Sequence, residues 1–416
     1  MHILITGSAG FIGRNLVESL KNIRDDKDRT HPGLTGKIEE ILEFDRDTDA
    51  EKLAQYCARA DFVFHLAGVN RPRNIEAFME GNRDFSEKLL RTLEEQGNPC
   101  PVMMSSSVQA SLQGRFAGSE YGKSKLAGEE AFFRHGERTG APVYVYRFPN
   151  VFGKWCRPNY NSAVATFCHH IARDLPIRVD NRETRLELVY IDDLVEELLL
   201  ALQGQAHGGG EAAAAKRAEE ANPGEKHGPA RYCYVPVTYQ ATLGEIVDLL
   251  QAFRRQPQTL LVPEIPQGSF AQKLYAAYLS YLPPERVKFA LTRKEDARGS
   301  FTEILKTVSG GQFSVNVSRP GITKGQHWHH SKWEFFIVVA GHALIRERNL
   351  AGDLFTEDGP EVLEYEVWGD RPEAVHMLPG YTHSIINLSD TEDLITVMWA
   401  SECFDPDKPD TFYEEV

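Results

Sequence analysis

His2-Ile3-Leu4-Ile5-Thr6-Gly7-Ser8-Ala9-Gly10-Phe11-Ile12-Gly13 is the stretch on which the fold turns. Residues 2–6 read as a short buried strand, and Arg14 to Leu20 has helical spacing. A strand, a glycine turn and a helix make a site for a pyrophosphate. Gly7 permits the tight turn, Gly10 lets backbone N–H groups approach the phosphates, and Gly13 lets helix and sheet pack closely. The spacing is G-x2-G-x2-G rather than G-x-G-x2-G, and its place between strand and helix gives it weight. Gly7, Gly10, Phe11, Ile12 and Gly13 are the expected cofactor-facing residues.

Outward from that turn, strands and helices alternate. Strand 40–44 ends at Asp45-Arg46. An acidic residue there would hold the ribose hydroxyls of NAD, and an arginine would suit the 2′-phosphate of NADP. Arg14 and Arg46 tilt the choice to NADPH over NADH. Strand 61–65 ends in Leu66-Ala67-Gly68, small enough for a cofactor to lie against backbone, with Asn70 in the following loop. His65 reads as a packed core histidine. A helix over 75–96 leads to strand 101–104, which delivers Ser105 to Ser107. A helix over 121–138 and a strand from Val143 follow. This order predicts an α/β, Rossmann-type, doubly wound parallel sheet.

Tyr121 and Lys125 lie four apart, one helical turn, and share a face. A phenol with a pKa near ~10 is a poor acid at neutral pH, and a nearby ammonium pulls that value down. Ser107, at the end of an apolar run, can hydrogen-bond a substrate oxygen beside the phenol.

At 416 residues the chain suits two or three domains. The net charge of -14, without a long basic run, argues against nucleic acid or an acidic membrane surface as partner. The six cysteines are scattered without a C-x2-C, which points to a reduced cytoplasm rather than a disulfide framework. No apolar run reaches the length of a membrane span.

Residues 203–230 are a low-complexity surface insertion, with Gly208-Gly-Gly210 followed by an Ala/Glu/Lys run. Thr242 and Glu245 have the spacing of a capping box. The break at Leu282-Pro-Pro-Glu285 sets a domain boundary, giving 1–285 and 286–416. Beyond it, helical patterns give way to short alternating strands, which predicts an all-β double-sheet barrel or jelly roll. Within it His327 and His329 stand two apart on a strand, Glu334 returns from the next strand and His383 comes from across the barrel. Three imidazoles and a carboxylate suit a divalent transition metal with an open position. His330 could replace His329 if the strand carries a bulge. Zinc is the first choice, with iron, nickel and manganese open.

Thr6-Gly-Ser-Ala-Gly-Phe-Ile-Gly13, His65-Leu-Ala-Gly68, Ser105-Ser-Ser107 and Tyr121-Gly-Lys-Ser-Lys125 together resemble the extended short-chain dehydrogenase/reductase family, the nucleotide-sugar epimerases and reductases. Arg147 to Gly153 and Val189 to Val195 resemble its substrate-side motifs. The resemblance implies that Tyr121 is the general acid, that Lys125 lowers its pKa and holds the nicotinamide ribose, and that Ser107 orients the carbonyl. The span from Ser107 to Tyr121 is shorter than in most such enzymes, so the loop over the sugar is trimmed. Asn70, Asn150, Arg157, Asn159, Asn161 and Arg185 are candidates for sugar-nucleotide contacts, with solvated or structural roles as the competing reading. Gly321-x5-His327-x-His329-x4-Glu334-x6-Gly341 and Pro379-Gly380-x2-His383-x3-Asn387 resemble the two-part motif of the cupin family, with Pro379 one place nearer Gly380 than usual. Asp296 to Glu303, with Arg298 as a substrate contact, is similar to a segment of the deoxysugar-nucleotide 3,5-epimerases.

A reductase fused to a metal cupin resembles the bifunctional capsular-polysaccharide enzymes, whose relatives serve O-antigen synthesis. That resemblance implies a UDP-sugar substrate. The cupin would epimerise C3 of a UDP-4-keto-6-deoxy-HexNAc, with Lys306, Glu303 and His376 as base or acid candidates. The reductase would then reduce C4 with NADPH, giving UDP-2-acetamido-2,6-dideoxy-L-talose on the way to UDP-N-acetyl-L-fucosamine. Two other readings compete: a cupin oxygenase or isomerase acting on another sugar, and a non-catalytic cupin that dimerises or senses a ligand. Edge-to-edge pairing of cupin sheets leads us to expect a homodimer.

Overall fold

The computed structural model describes residues 1–72, 74–208, 231–352 and 362–416. Most of the expected insertion at 203–230 thus lies outside the described residues. Two compact units emerge: Met1–Leu250 with Gly268–Leu282, and Gln251–Gln267 with Pro283–Val416.

The first unit is built on β1 (His2–Thr6), β2 (Glu40–Phe44), β3 (Phe62–His65), β4 (Val102–Ser107) and β5 (Val143–Phe148). They pair in parallel in the order β2-β1-β3-β4-β5. Strands covered on both faces must be apolar throughout. Accordingly Leu4, Val63, Val102 and Val145 are fully buried, packed with Leu89, Leu93 and Phe132 from the helices. This is the expected Rossmann-type fold. A smaller sheet joins β6 (Asn150–Phe152), β7 (Arg185–Tyr190) and β8 (Tyr239–Thr242). Thr242 and Glu245 cap the next helix reciprocally, by bonds of 2.7 and 3.1 Å.

Two glycines are required by geometry. Gly7 has φ +74°, and a Cβ there would sit 2.6 Å from the Ala67 nitrogen. A Cβ on Gly13 would sit 2.1 Å from the Gly7 carbonyl oxygen. Gly13→Ala is therefore expected to cost about 1–3 kcal/mol of stability and to weaken any thermal shift on adding a nicotinamide dinucleotide.

The sequence reading of one helix over 75–96 needs correcting. It is a short α-turn Glu76–Met79, a π-turn Glu80–Asp84 and a helix Phe85–Glu95. The extra residue of the π-turn re-aims one side chain, a device that recurs at functional sites.

The second unit begins with β9 (Leu261–Val262), which pairs with β11, so Gln251–Gln267 joins this unit although it precedes the sequence boundary at 285. Its other strands are β10 (Arg293–Asp296), β11 (Gly299–Thr307), β12 (Gln312–Ser318), β13 (Thr323–Trp328), β14 (Glu334–Ala340), β15 (His342–Asn349), β16 (Val362–Trp368), β17 (Ala374–Met377), β18 (Tyr381–Asn387), β19 (Leu394–Ala400) and β20 (Phe412–Tyr413). One sheet runs β10-β11-β12-β19-β14-β17 and the other β16-β15-β18-β13-β20. Phe336, Val338 and Leu394 of the first sheet pack with Ala343, Ile345 and Ile385 of the second, as in a cupin jelly roll.

Candidate active site and metal centre

In the first unit, helix Phe11–Arg24 starts at Gly10 with no side-chain cap and no acidic residue in its first turn. Its leading N–H groups are therefore free to take an anion. Asp45 ends β2 beside this turn and accepts a hydrogen bond from the Ala9 nitrogen at 2.9 Å. Arg46 and Arg14 are both exposed.

β4 carries Ser107 to the sheet's carboxyl edge, and helix Glu120–Thr139 carries Tyr121 and Lys125. Ser119 caps that helix through the Gly122 nitrogen at 2.9 Å. Lys125 is only 4% exposed, and its Nζ donates to the Ser105 carbonyl at 3.0 Å. Burial lowers its pKa to about 8, partly opposed by Glu129. Burial pushes the Tyr121 phenol up to about 12, and the Ser107 hydroxyl draws it partly back. Gly68 abuts the lysine, since a Cβ on it would meet Lys125 Nζ at 2.8 Å.

Because Lys125 titrates near 8, it is protonated at neutral pH and neutral well above that. Nicotinamide-dependent turnover at this site is expected to fall as pH rises through about 8, which a pH profile of kcat/KM checks.

Asn82 was missed in the sequence. The π-turn drives it inward, where it is 1% exposed. Its Oδ1 accepts from the Val69 nitrogen at 2.9 Å, and its Nδ2 donates to the Val69 carbonyl at 2.8 Å and to Ser124 Oγ at 2.9 Å. It thereby ties the loop after Gly68 to the helix that bears Lys125. The adjacent poor helix formers Gly81-Asn82 were the available signal. His65 is a core residue, bonded to Thr6 Oγ1 at 2.8 Å and Ser86 Oγ at 2.9 Å.

The sugar-contact candidates scatter. Asn70 Oδ1 is buried without a partner. Asn150 sits on β6 and donates to the Glu187 carbonyl at 3.1 Å, while Arg185 opens β7. Asn159 accepts from His170 Nε2 at 2.9 Å, a structural tie. Arg157 lies over the Tyr160 ring at 5.4 Å, and Asn161 is exposed. Arg298, in the second unit, forks onto Asp296 at 3.1 and 2.7 Å.

In the second unit, His327, His329, Glu334 and His383 each offer a ligand atom, all within 4.8 Å of one another. His383 is fully buried, and neither of its ring nitrogens has a partner. His329 Nε2 is likewise orphaned. Burial lowers the His383 pKa to about 3, so its ring is neutral and one of its nitrogens offers a lone pair. Burial would raise the Glu334 pKa, but the Lys332 ammonium, 2.7 Å away, holds its carboxyl below the usual range. A buried carboxylate beside buried imidazole nitrogens that lack partners is a donor set that fits a divalent cation. His330 is exposed, with its ring against Trp328, so His329 is the inward histidine.

Cross-strand partners share a face of a sheet. One row runs Glu334, Ala400, Gln312, Lys306, and the next Phe336, Met398, Ser314, Glu303. A bulge between Glu303 and Leu305 puts both Glu303 and Lys306 on the inward face with Glu334. They pair at 3.3 Å. His376 stands opposite Phe335, on the other face, and is exposed. It is removed from the acid-base candidates.

Two inward groups escaped the sequence reading. Glu347 lies opposite His383, is 1% exposed and has an unpartnered Oε1; burial pushes its pKa up to about 7. The alternation Ala343, Ile345, Glu347 could have located it. Lys324 pairs with inward Ile385, and its Nζ donates to Asn316 Oδ1 at 2.6 Å and the Val317 carbonyl at 2.7 Å. Simple alternation places Lys324 opposite His327, and only the bulge at Gly325–His327 brings both inward.

Residues 3–213 match the model of the NAD dependent epimerase/dehydratase family, and residues 294–412 match the polysaccharide biosynthesis C-terminal domain. The chain is 38% identical over 414 residues to a Pseudomonas aeruginosa protein named UDP-2-acetamido-2,6-beta-L-arabino-hexul-4-ose reductase, covering 99% of this chain and 98% of that one. It is similar to the crystal structure of the capsular polysaccharide assembling protein CapF from Staphylococcus aureus, with TM-score 0.81, 42% identity and 100% of both chains covered. A structure of CapF with the inhibitor 3-isopropenyl-tropolone matches with TM-score 0.76 and 39% identity, again over 100% of both chains. Among the described residues, no helix is long and apolar enough to cross a membrane.

Proposed function

Since the chain belongs to the NAD dependent epimerase/dehydratase family, we propose that it is a two-site nucleotide-sugar enzyme. Its barrel epimerises C3 of a UDP-4-keto-6-deoxy-HexNAc, and its Rossmann-type unit then reduces C4. The product is UDP-2-acetamido-2,6-dideoxy-L-talose, destined through UDP-N-acetyl-L-fucosamine for capsule or O-antigen. The observation that carries this reading is one chain holding both Ser107–Tyr121–Lys125 and the inward His327–His329–Glu334–His383 set. Full-length similarity to a protein named as a reductase of such a sugar supports it.

In the barrel, a base takes the C3 proton, the C4 carbonyl holds the electron pair as an enolate, and a proton returns to the opposite face. Glu303 and Lys306 remain the base or acid candidates, joined by Lys324 and Glu347 on the same inward face. A divalent cation held by His327, His329, Glu334 and His383 would supply positive charge for polarising an oxygen. Zinc suits that N/O donor set.

In the Rossmann-type unit, a bound nicotinamide supplies the hydride for C4. Ser107 holds O4, and Tyr121 passes its phenolic proton to O4, converting the ketone to an alcohol. The Lys125 ammonium would stabilise the resulting phenolate and hold the ribose of the cofactor. Arg46 and Arg14 favour NADPH by offering charge for a 2′-phosphate. Reduction also removes the acidity of the C3 proton and so locks the new configuration.

Incubation with the 4-keto UDP-sugar and unlabelled NADPH in D2O tests the scheme. Deuterium at C3 and protium at C4 are expected. Reduction without deuterium at C3 would sink the epimerase assignment. Rates with NADPH against NADH, metal analysis and sedimentation test the cofactor, the zinc and the homodimer.

A further inference from the structure

The segment Asp410–Val416 runs along the strand that carries His327. Tyr413 pairs with His327 and Phe412 with Trp328 in antiparallel register. The Glu414 nitrogen donates to the Gln326 carbonyl at 3.1 Å, and the Val416 nitrogen to Gln326 Oε1 at 2.9 Å. The Phe412 ring lies 5.1 Å from both Trp328 and His330.

Asp410 makes the closest connection. Its backbone carbonyl takes a hydrogen bond from His329 Nδ1. A carbonyl oxygen can only accept, so Nδ1 carries the ring proton and Nε2 carries the lone pair. That Nε2 is the buried, unpartnered nitrogen, 3.8 Å from Glu334 Oε1. The Asp410 carboxylate accepts from the nitrogens of His330, Ser331 and Lys332 at 2.8, 2.9 and 2.9 Å. It thereby closes the connection between His329 and Glu334.

We propose that Asp410–Val416 is the positioning element of the metal centre. It sets the His329 tautomer, clamps the His330–Lys332 loop, and through Phe412 keeps His330 outward so that His329 is the ligand. The inference rests on the reading that the cluster binds a divalent cation. The residues act through His329 and Glu334 rather than on the substrate.

The test uses the full chain stripped of metal by chelator dialysis. Zn2+ affinity is read by competition with a chromogenic chelator, and site geometry by the visible absorption of bound Co2+. Asp410→Ala is expected to weaken Zn2+ binding about 10–100-fold and to change the Co2+ spectrum, with NADPH binding by the other unit unaltered. Asp410→Asn keeps the shape and one acceptor oxygen, so an intermediate affinity is expected, and it carries the test should the alanine variant misfold. Parent-like Zn2+ affinity and Co2+ spectrum in the variants would overturn the positioning role while leaving the metal reading intact. Failure of the parent chain itself to bind Zn2+ would overturn the metal reading, and this inference with it.

Discussion

Tyr121→Phe is expected to cut NADPH-dependent reduction of the 4-keto sugar by about 10²–10⁴-fold, the usual worth of a positioned proton donor. Deuterium exchange at C3 from D2O should continue. The substitution removes one oxygen and leaves a ring that can still pack on Phe78, whose centroid is 5.9 Å away. Ser107 and Lys125 stay in place, so binding should change less than turnover. The result separates two steps that end in one product. If Tyr121→Phe also stopped exchange while the fold survived, the proposed division of labour would be wrong.

The reverse is expected of His327→Ala and His383→Ala. C3 exchange should fall by at least about 100-fold, as should metal affinity, while reduction of an already epimerised ketone persists. His383 is fully buried with both ring nitrogens unpartnered, so truncation leaves a hole beside a buried carboxylate rather than a broken hydrogen bond. Lost packing should cost about 1–3 kcal/mol, so thermal melting must accompany the exchange assay. Added Zn2+ at a hundred times its Kd should stabilise the parent by about 2.7 kcal/mol and the variants by much less. Exchange at the parent rate in both metal-free variants would assign the barrel a structural role.

Local features carried much of the outcome. The glycine turn at 7–13 was legible because close backbone approach admits no side chain, and no distant residue alters that requirement. Strand and helix alternation predicted the parallel sheet for the same kind of reason: a strand covered on both faces must be apolar. The spacing of His327, His329 and Glu334 named a donor set before any contact was known.

Other features needed the third dimension, because they hang on register and backbone irregularity. The π-turn at 80–84 brings Asn82 onto the loop after Gly68, and no side-chain pattern announces it. The bulge at Gly325–His327 turns Lys324 to the same face as the histidine row. The register of β14 with β17 turns His376 away from the face that bears Glu334. The adjacent His329 and His330 meet residues some eighty positions downstream, His329 Nδ1 donating to the Asp410 carbonyl and the His330 ring lying 5.1 Å from that of Phe412. Chain composition and short motifs thus sufficed for the fold and the types of chemistry. Which atoms face each other was decided by strand pairing, since one extra residue in a strand exchanges its two faces.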